Sequence, residues 1–194
     1  MVTSDVVLLP HSGKLDLAVY CVEQGRWQGD EDFKIQESSL PPNDIRRVTA
    51  VPDASQEKVW DQVKVNLDIF AVSSPSAALN DVKMNSNFLQ KVGQYTDRLA
   101  KSFEDEQHVI GVVAVSGGEI IGCDLFATPG LFAKHYDNLL QSYAAEAQGD
   151  DFGATDEHMV NKYWQKTLGV MEQEGFLFHG EDRGGKRRVH FSMN

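Results

Sequence analysis

Cysteine is scarce in this chain, which has only two among its 194 residues, Cys21 and Cys123. Two cysteines by themselves do not make a disulfide framework or a zinc site. Both cysteines lie in apolar, strand-like runs, so we expect buried thiols that behave as small hydrophobic side chains. The sequence therefore predicts neither a disulfide scaffold nor a cysteine-based metal site.

Long apolar runs are also missing. No stretch approaches the ~20 residues that a membrane-spanning helix needs, and the first residues lack the basic region and apolar segment of a signal peptide. We therefore expect no membrane partner. The location is predicted to be cytoplasmic if the chain is complete as written, and the sequence leaves it unknown otherwise.

Positive charge is in deficit, because 18 Lys and Arg residues face 29 Asp and Glu residues and the formal net charge is −11. An acidic domain repels the phosphates of nucleic acids, so no nucleic-acid partner is expected. The one basic run, Lys186-Arg187-Arg188, is interpreted as a solvated surface or as a partner of the acidic loop Glu181-Asp182.

Signatures of metal, nucleotide and cofactor sites are absent. No two of the six histidines lie four residues apart on one predicted helix, so no metal is expected and no cofactor is predicted. His135 lies on an apolar stripe, which favours a core histidine. His179 and His190 could face each other across a closing hairpin, as a metal pair or as an ordinary cross-strand contact. After Gly117-Gly118 the lysine of a phosphate-binding loop is missing.

The hydrophobic pattern predicts an α+β domain, in which a mixed or antiparallel sheet packs against several amphipathic helices. Trp60, Leu139 and Tyr143 are expected in the core, and Gly117-Gly118 is expected to turn a hairpin. Residues 28–47 read as a loop. Helices are expected near 54–71 (opened by Asp53), 76–103 (with a break, if any, near Asn85-Ser86-Asn87), 129–147 (capped by Thr128, with Pro129 in its first position) and 155–172. Strands are expected near 6–9, 15–22, 47–51, 109–115, 119–126, 176–179 and 187–191.

We divide the chain into a domain of residues 1–148 and a C-terminal extension of residues 149–194, a helix and a hairpin packed on the same domain. The strand at 15–22 is apolar on both faces, which is typical of a central, covered strand. Few β-rich segments precede residue 109 to pair with it. We therefore hypothesise that N-terminal strands precede Met1 in the natural domain and that self-association, as a homo-oligomer, covers the exposed edge.

A polar block follows that strand and is the candidate site. Glu23, Gln24, Arg26 and Trp27 put an acid, an amide, a guanidinium and an indole together, and Gly25 between them permits a sharp turn or a close approach. Arg and Trp together can clamp an anionic or planar group. The alternative is structural: Glu23 and Arg26 bond each other and close the strand end, and Trp27 covers the core.

The segment Cys21-Val22-Glu23-Gln24-Gly25-Arg26-Trp27 resembles the signature of the ARG and rhodanese-phosphatase-superfamily-associated protein domain, formerly a domain of unknown function. Stretches at 55–60, 74–79, 111–126 and 139–143 fit in the same order, over about residues 5 to 147. The chain departs from the family pattern in its shorter N-terminal part and in the shorter loop after Trp27. The resemblance implies an accessory role in prokaryotic conflict systems, and it implies no activity.

Three functions follow from these observations, in order of preference. The first is an accessory binding domain that recognises a small anionic or planar ligand, or a peptide, through residues 23–27. The second is a protein-interaction scaffold. The third is an enzyme with Glu23 as acid/base and Arg26 as anion stabiliser, which is disfavoured because no titratable groups outside this segment visibly converge on it. No catalytic residue is assigned, and the partner is an unknown small molecule or protein.

Overall fold

The computed structural model describes residues 1–3, 14, 16, 18–28, 40–51, 54–103, 105–147, 156–173 and 190–193, and only the backbone of 27, 28, 170–173 and 190–193. These residues form five strands, six α-helices and one 3-10 helix. The strands are β1 Val2–Thr3, β2 Val19–Tyr20, β3 Gly111–Ser116, β4 Glu119–Phe126 and β5 His190–Met193. The α-helices are α1 Asn43–Ala50, α2 Gln56–Ile69, α3 Leu79–Lys83, α4 Ser86–Leu99, α5 Pro129–Glu146 and α6 Glu157–Gln173.

The predicted α+β class is confirmed, and each strand pair of the described residues is antiparallel. The chain forms two compact units. The first comprises Met1–Val7, Lys14–Ser102 and Asp137–Glu146, and the second comprises Leu8–Gly13, Phe103–Tyr136 and Ala147–Asn194. The predicted boundary at residue 148 falls in a stretch, 148–155, that lies outside the described residues, and it stays a prediction.

The first unit is built around helix α2. Ser55 caps its start, since the Ser55 hydroxyl accepts from the Lys58 amide at 3.3 Å, so the predicted opening by Asp53 is wrong. Val63 and Leu67 of α2, with Phe70 at its C-terminal cap, pack in one apolar cluster with residues of the other helices, which are Ile45, Leu79, Val82, Phe88 and Ala145. The long helix expected over 76–103 is divided into α3 and α4 around Asn85, whose side chain caps α4.

Helix α1 replaces the predicted end of a loop and the predicted strand at 47–51. The carbonyl of Pro42 accepts from the amides of Ile45 and Arg46 at 3.0 and 3.2 Å, which begins the helix directly after the two prolines. Proline is well suited to a helix start because its fixed φ is helical and its missing N–H is not needed there. Ile45 lies in the core, and this burial outweighs the β propensity of the Arg-Arg-Val-Thr run.

The strand predicted at 15–22 is also corrected. Among its described residues only Val19 and Tyr20 form a paired strand, with Thr3 and Val2 as their partners. Val19 is 54% exposed, so the expected cover on both faces is wrong at this position. The strand predicted at 6–9 lies outside the described residues.

The second unit contains the predicted hairpin. Gly117 and Gly118 have φ of 59° and 79°, the two positive values that a tight type I′ turn between β3 and β4 requires. β4 pairs with β5 on its other edge, and the expected strand at 176–179 lies outside the described residues. At the start of α5 the Thr128 hydroxyl accepts from the Leu131 amide at 3.2 Å, which confirms the predicted cap.

The predicted core is right in part. Leu139 and Tyr143 are buried, whereas Trp60 is only half-buried. The indole Nε1 of Trp60 is shielded from solvent and has no hydrogen-bond partner among the described residues. His135 is not a core histidine, because it is exposed on α5 and stacks on the ring of Phe126 at 5.4 Å between centroids. No helix in the described stretches is both long and apolar enough to cross a bilayer.

Candidate functional site

The signature segment begins at Cys21, whose backbone is held by a side chain of α2. The Cys21 amide donates to Gln56 Oε1 at 2.8 Å, and Gln56 Nε2 donates to the Cys21 carbonyl at 2.7 Å. The amide side chain thus does for Cys21 what a neighbouring strand would do, since it satisfies both backbone groups at once. The chain then enters the 3-10 helix Gln24–Gln28.

The turn between α2 and α3 supports this 3-10 helix from the other side. The Gly25 amide donates to the Ser76 carbonyl at 2.8 Å, and the Leu79 amide donates to the Val22 carbonyl at 2.9 Å. A β-carbon at position 25 would lie only 2.8 Å from Ser76 Cα. Glycine is therefore needed here because two backbones touch.

Glu23 and Arg26 are brought together by the 3-10 helix. Arg26 Nη1 donates to Glu23 Oε2 at 3.2 Å, and the side chains stay 20% (Arg26) and 27% (Glu23) exposed. Gln24 is exposed. The backbone of Trp27 lies in the helix, and its side chain lies outside the described residues, so its clamping role stays a prediction.

Both thiols are buried, as predicted. Cys21 Sγ donates to the Glu23 carbonyl at 3.1 Å. Burial, together with the nearby Asp124 carboxyl, raises the pKa of Cys123 to about 12. A thiol with so high a pKa carries almost no thiolate at neutral pH and is a poor nucleophile.

A second group of polar side chains converges at the start of α1, and the sequence analysis missed it. Asp44 is 7% exposed. Its Oδ2 accepts from Gln62 Nε2 and Asn66 Nδ2, each at 2.7 Å, and its Oδ1 accepts from the Ile45 amide at 2.8 Å. Burial raises the pKa of Asp44, and Glu146 adds to this, while the hydrogen bonds act in the opposite direction.

The last residue of α5 completes the group. Glu146 Oε2 accepts from Asn43 Nδ2 at 2.7 Å, and Glu146 Oε1 pairs with Arg47 Nη2 at 2.5 Å. The Arg46 guanidinium lies 5.7 Å from the ring centroid of Tyr143.

Lys91 of α4 approaches from a third helix. Its Nζ lies 3.4 Å from the Ala145 carbonyl and 5.1 Å from the centroid of the Phe70 ring. Burial lowers the pKa of Lys91, whereas Asp44 and Glu146 act to raise it. We call the six residues Asn43, Asp44, Arg46, Arg47, Lys91 and Glu146 the α1 polar cluster.

Asp44 and Lys91 both have perturbed pKa values, and such groups occur often at functional sites as well as in structural ion-pair networks. The sequence signal was the polar run Asn43-Asp44 with Arg46-Arg47, which was interpreted as part of a loop. Its partners lie far away, since Asn43 and Glu146 are separated by 103 positions. Among the described residues, no group of three or more His, Cys, Asp or Glu side chains could hold a metal ion.

Comparison with known proteins gives one result. No curated protein and no solved structure matches the chain. The model of the ARG and Rhodanese-Phosphatase-superfamily-associated Protein domain matches residues 1–178, a region longer than the resemblance at about residues 5 to 147 suggested. The chain therefore belongs to this domain family, whose description as an associated domain is compatible with an accessory role.

Proposed function

We propose that this chain is an accessory binding domain that recognises a small anionic or planar ligand through residues 23–27. The observation that carries the proposal is the way this segment is held. On one side of Glu23, the Gln56 side chain bonds both backbone groups of Cys21, and the Leu79 amide donates to the Val22 carbonyl. On the other side, the Gly25 amide donates to the Ser76 carbonyl.

A segment held in this way loses little conformational freedom when it binds, which favours affinity. The Glu23–Arg26 pair is half-buried, so its electrostatic attraction is screened less than that of a fully exposed pair. An incoming anion would compete with Glu23 for the planar guanidinium of Arg26, which suits carboxylate and phosphate groups. Trp27 is expected to add a stacking surface for a planar group.

Ligand-observed NMR tests the proposal with a panel of small carboxylates, phosphates, aromatic acids and short peptides. We expect a subset to bind the wild type, and Arg26→Gln to weaken those hits about tenfold or more, as loss of a charge-assisted hydrogen bond does. Trp27→Ala should weaken the planar hits, because it removes the stacking surface. Arg98→Gln, an exposed arginine of α4, is the matched control. Hits that bind wild type and Arg26→Gln equally would exclude this segment as the site, and hits confined to peptides would change the ligand class.

A protein-interaction scaffold is the second candidate, because α2 exposes apolar side chains. Val65 and Ile69 lie one helical turn apart and are 45% and 59% exposed. Exposed apolar side chains of this kind can contact a partner protein, although two of them make only a small surface. Sedimentation analysis of wild type and of the double variant Val65→Lys, Ile69→Lys tests this surface. A mass that rises with concentration in the wild type but not in the double variant supports self-association through this surface. Monomers in both proteins would exclude self-association through it.

A further inference from the structure

We propose that the peptide group between Ser76 and Ala77 is a two-position switch, which in one position holds the Gly25 side of the segment 23–27 and in the other releases it. The use of this switch in ligand recognition rests on the proposed function, whereas the switch itself is a property of the α2–α3 turn, residues 70–78. Three observations support it: strain at Ala77, the hydrogen bonds of the peptide group, and the anchors beside it.

The first observation is the strained backbone of Ala77. Its φ is 50°, and Ala77 and Ala71 are the two residues other than glycine with positive φ in the described part of the chain. Both lie in the α2–α3 turn, and in this conformation the β-carbon of an alanine crowds the following carbonyl oxygen. Residues held in such conformations are frequent in switches and ligand clamps, because the surrounding structure has to keep them there.

The second observation is what the strained conformation provides. The carbonyl of Ser76 and the amide of Ala77 belong to one peptide group. This carbonyl accepts from the Gly25 amide at 2.8 Å, and this amide donates to the Ser74 carbonyl at 3.2 Å. A half-turn of the group takes φ of Ala77 from 50° to about −130°, which is ordinary β-region backbone. The flip therefore exchanges two hydrogen bonds for relief of the strain.

The two sides of this exchange are close in free energy. Ser76 and Ala77 are half-buried and Pro75 is exposed, so water can replace the two hydrogen bonds, each of which has a small net contribution. The strain of one left-handed alanine offsets much of that loss. Minor conformations under such a balance are populated at about 0.1–10%, and we expect the flipped position in this range.

The third observation is that the motion is confined to one peptide group. Ala78, directly after it, is anchored because its amide donates to the Ser74 hydroxyl at 2.9 Å. The bond from the Leu79 amide to the Val22 carbonyl does not involve the flipping group. The Val22 side of the segment therefore stays in place while the Gly25 side is released.

Release follows from the direction of the flipped group. The Ala77 N–H then points towards the Gly25 N–H, and two donors cannot bond each other, so the chain from Gly25 onward loses this contact with the turn. The described position of Arg26 belongs to the held form. The apparent affinity for a ligand of Arg26 is therefore reduced by the fraction of molecules that are in the held form.

Amide hydrogen exchange of the full chain, followed by NMR without any ligand, tests the switch. In the wild type we expect the Gly25 amide to exchange by local opening, faster than the Leu79 amide. Ala77→Gly removes the strain of the held form, so it should slow exchange at Gly25 about fivefold or more and leave Leu79 unchanged. Ala71→Gly is the matched control, because Ala71 has φ of 51° in the same turn but its amide bonds the Asp68 carbonyl.

Three results would overturn the inference. One is exchange at Gly25 that is equally fast or faster in Ala77→Gly. Another is a single exchange rate for the Gly25 and Leu79 amides of the wild type, since the whole contact then opens together. The third is equal slowing at Gly25 by Ala71→Gly, which indicates a general gain in stability. Because no ligand enters the measurement, the switch can fail while ligands still depend on Arg26, and the reverse.

Discussion

At the scale of single residues, two positions explain features that the sequence left open. Gly25 is small because the backbone of Ser76 passes directly against it. Asp44 is a carboxyl group enclosed by amide donors from α2, with a pKa that burial raises. Each residue has a measurable consequence.

The first prediction concerns Gly25. Gly25→Ala places a β-carbon 2.8 Å from Ser76 Cα, so the backbone must move. We expect a loss of about 1–3 kcal/mol in the free energy of unfolding, as overpacking usually gives. Gly93→Ala is the control, because its β-carbon meets nothing within 4 Å on helix α4, and it should gain ~0.5–1 kcal/mol. Urea denaturation measures both, and equal behaviour of the two variants would contradict the close contact.

The second prediction concerns the pH dependence at Asp44. Its folded-state pKa is raised above 3.8, so the folded protein holds this proton more tightly than the unfolded chain does. The stabilisation is full below pH 3.8 and is lost as the pH rises through the folded-state pKa. The unfolding free energy of wild type minus that of Asp44→Asn should therefore fall from acid to neutral pH.

Denaturation of both proteins over a series of pH values measures that difference. Asp61→Asn, at an exposed ion pair on α2, is the control for the removal of a surface carboxyl group from the same helix. A difference between wild type and Asp44→Asn that rises with pH would show that the hydrogen bonds from Gln62 and Asn66 outweigh burial.

At the scale of elements, helix ends account for much of the local order. α2 ends in a Schellman motif: the Val72 amide donates to the Leu67 carbonyl at 2.8 Å, and the Ala71 amide donates to the Asp68 carbonyl at 3.1 Å. Ala71 takes the left-handed conformation with φ of 51°, where glycine is usual. Alanine is strained there because of its β-carbon.

The third prediction follows from this strain. Ala71→Gly should raise the free energy of unfolding by up to ~1 kcal/mol, because the exposed methyl group contributes no packing and its removal relieves the strain. Ala100→Gly is the matched control at the end of α4, where φ is −53° and glycine should destabilise. Thermal denaturation compares the two, and a loss of stability in Ala71→Gly would show that this turn is not strained.

At the scale of the whole molecule, the chain is an α+β member of its family, and the family match includes α6. Its expected self-association stays a prediction.

The fourth prediction uses the two buried cysteines to report on unfolding. A thiol reagent should modify both slowly in the native protein and rapidly in denaturant, because reaction waits for unfolding. Rapid labelling of native protein that maps to Cys21 would make that thiol a candidate nucleophile.

The sequence by itself determined the elements whose signals are local. The hairpin depends on Gly117-Gly118, and the start of α5 depends on Thr128-Pro129, so neighbouring residues suffice to predict them. The signature at 21–27 located a candidate site for the same reason, since its residues lie together in the chain.

Tertiary structure decided what depends on distant partners. The local sequence of residues 43–50 predicts a loop and a strand, but burial of Ile45 in the core favours a helix. The side-chain donors to Asp44 lie 18 and 22 positions away in the chain. The contact of Asn43 with Glu146 spans 103 positions, and Gly25 meets Ser76 although the whole of α2 lies between them in the chain. Local pattern carries no information about such pairs, because burial and charge compensation exist only once the helices have packed.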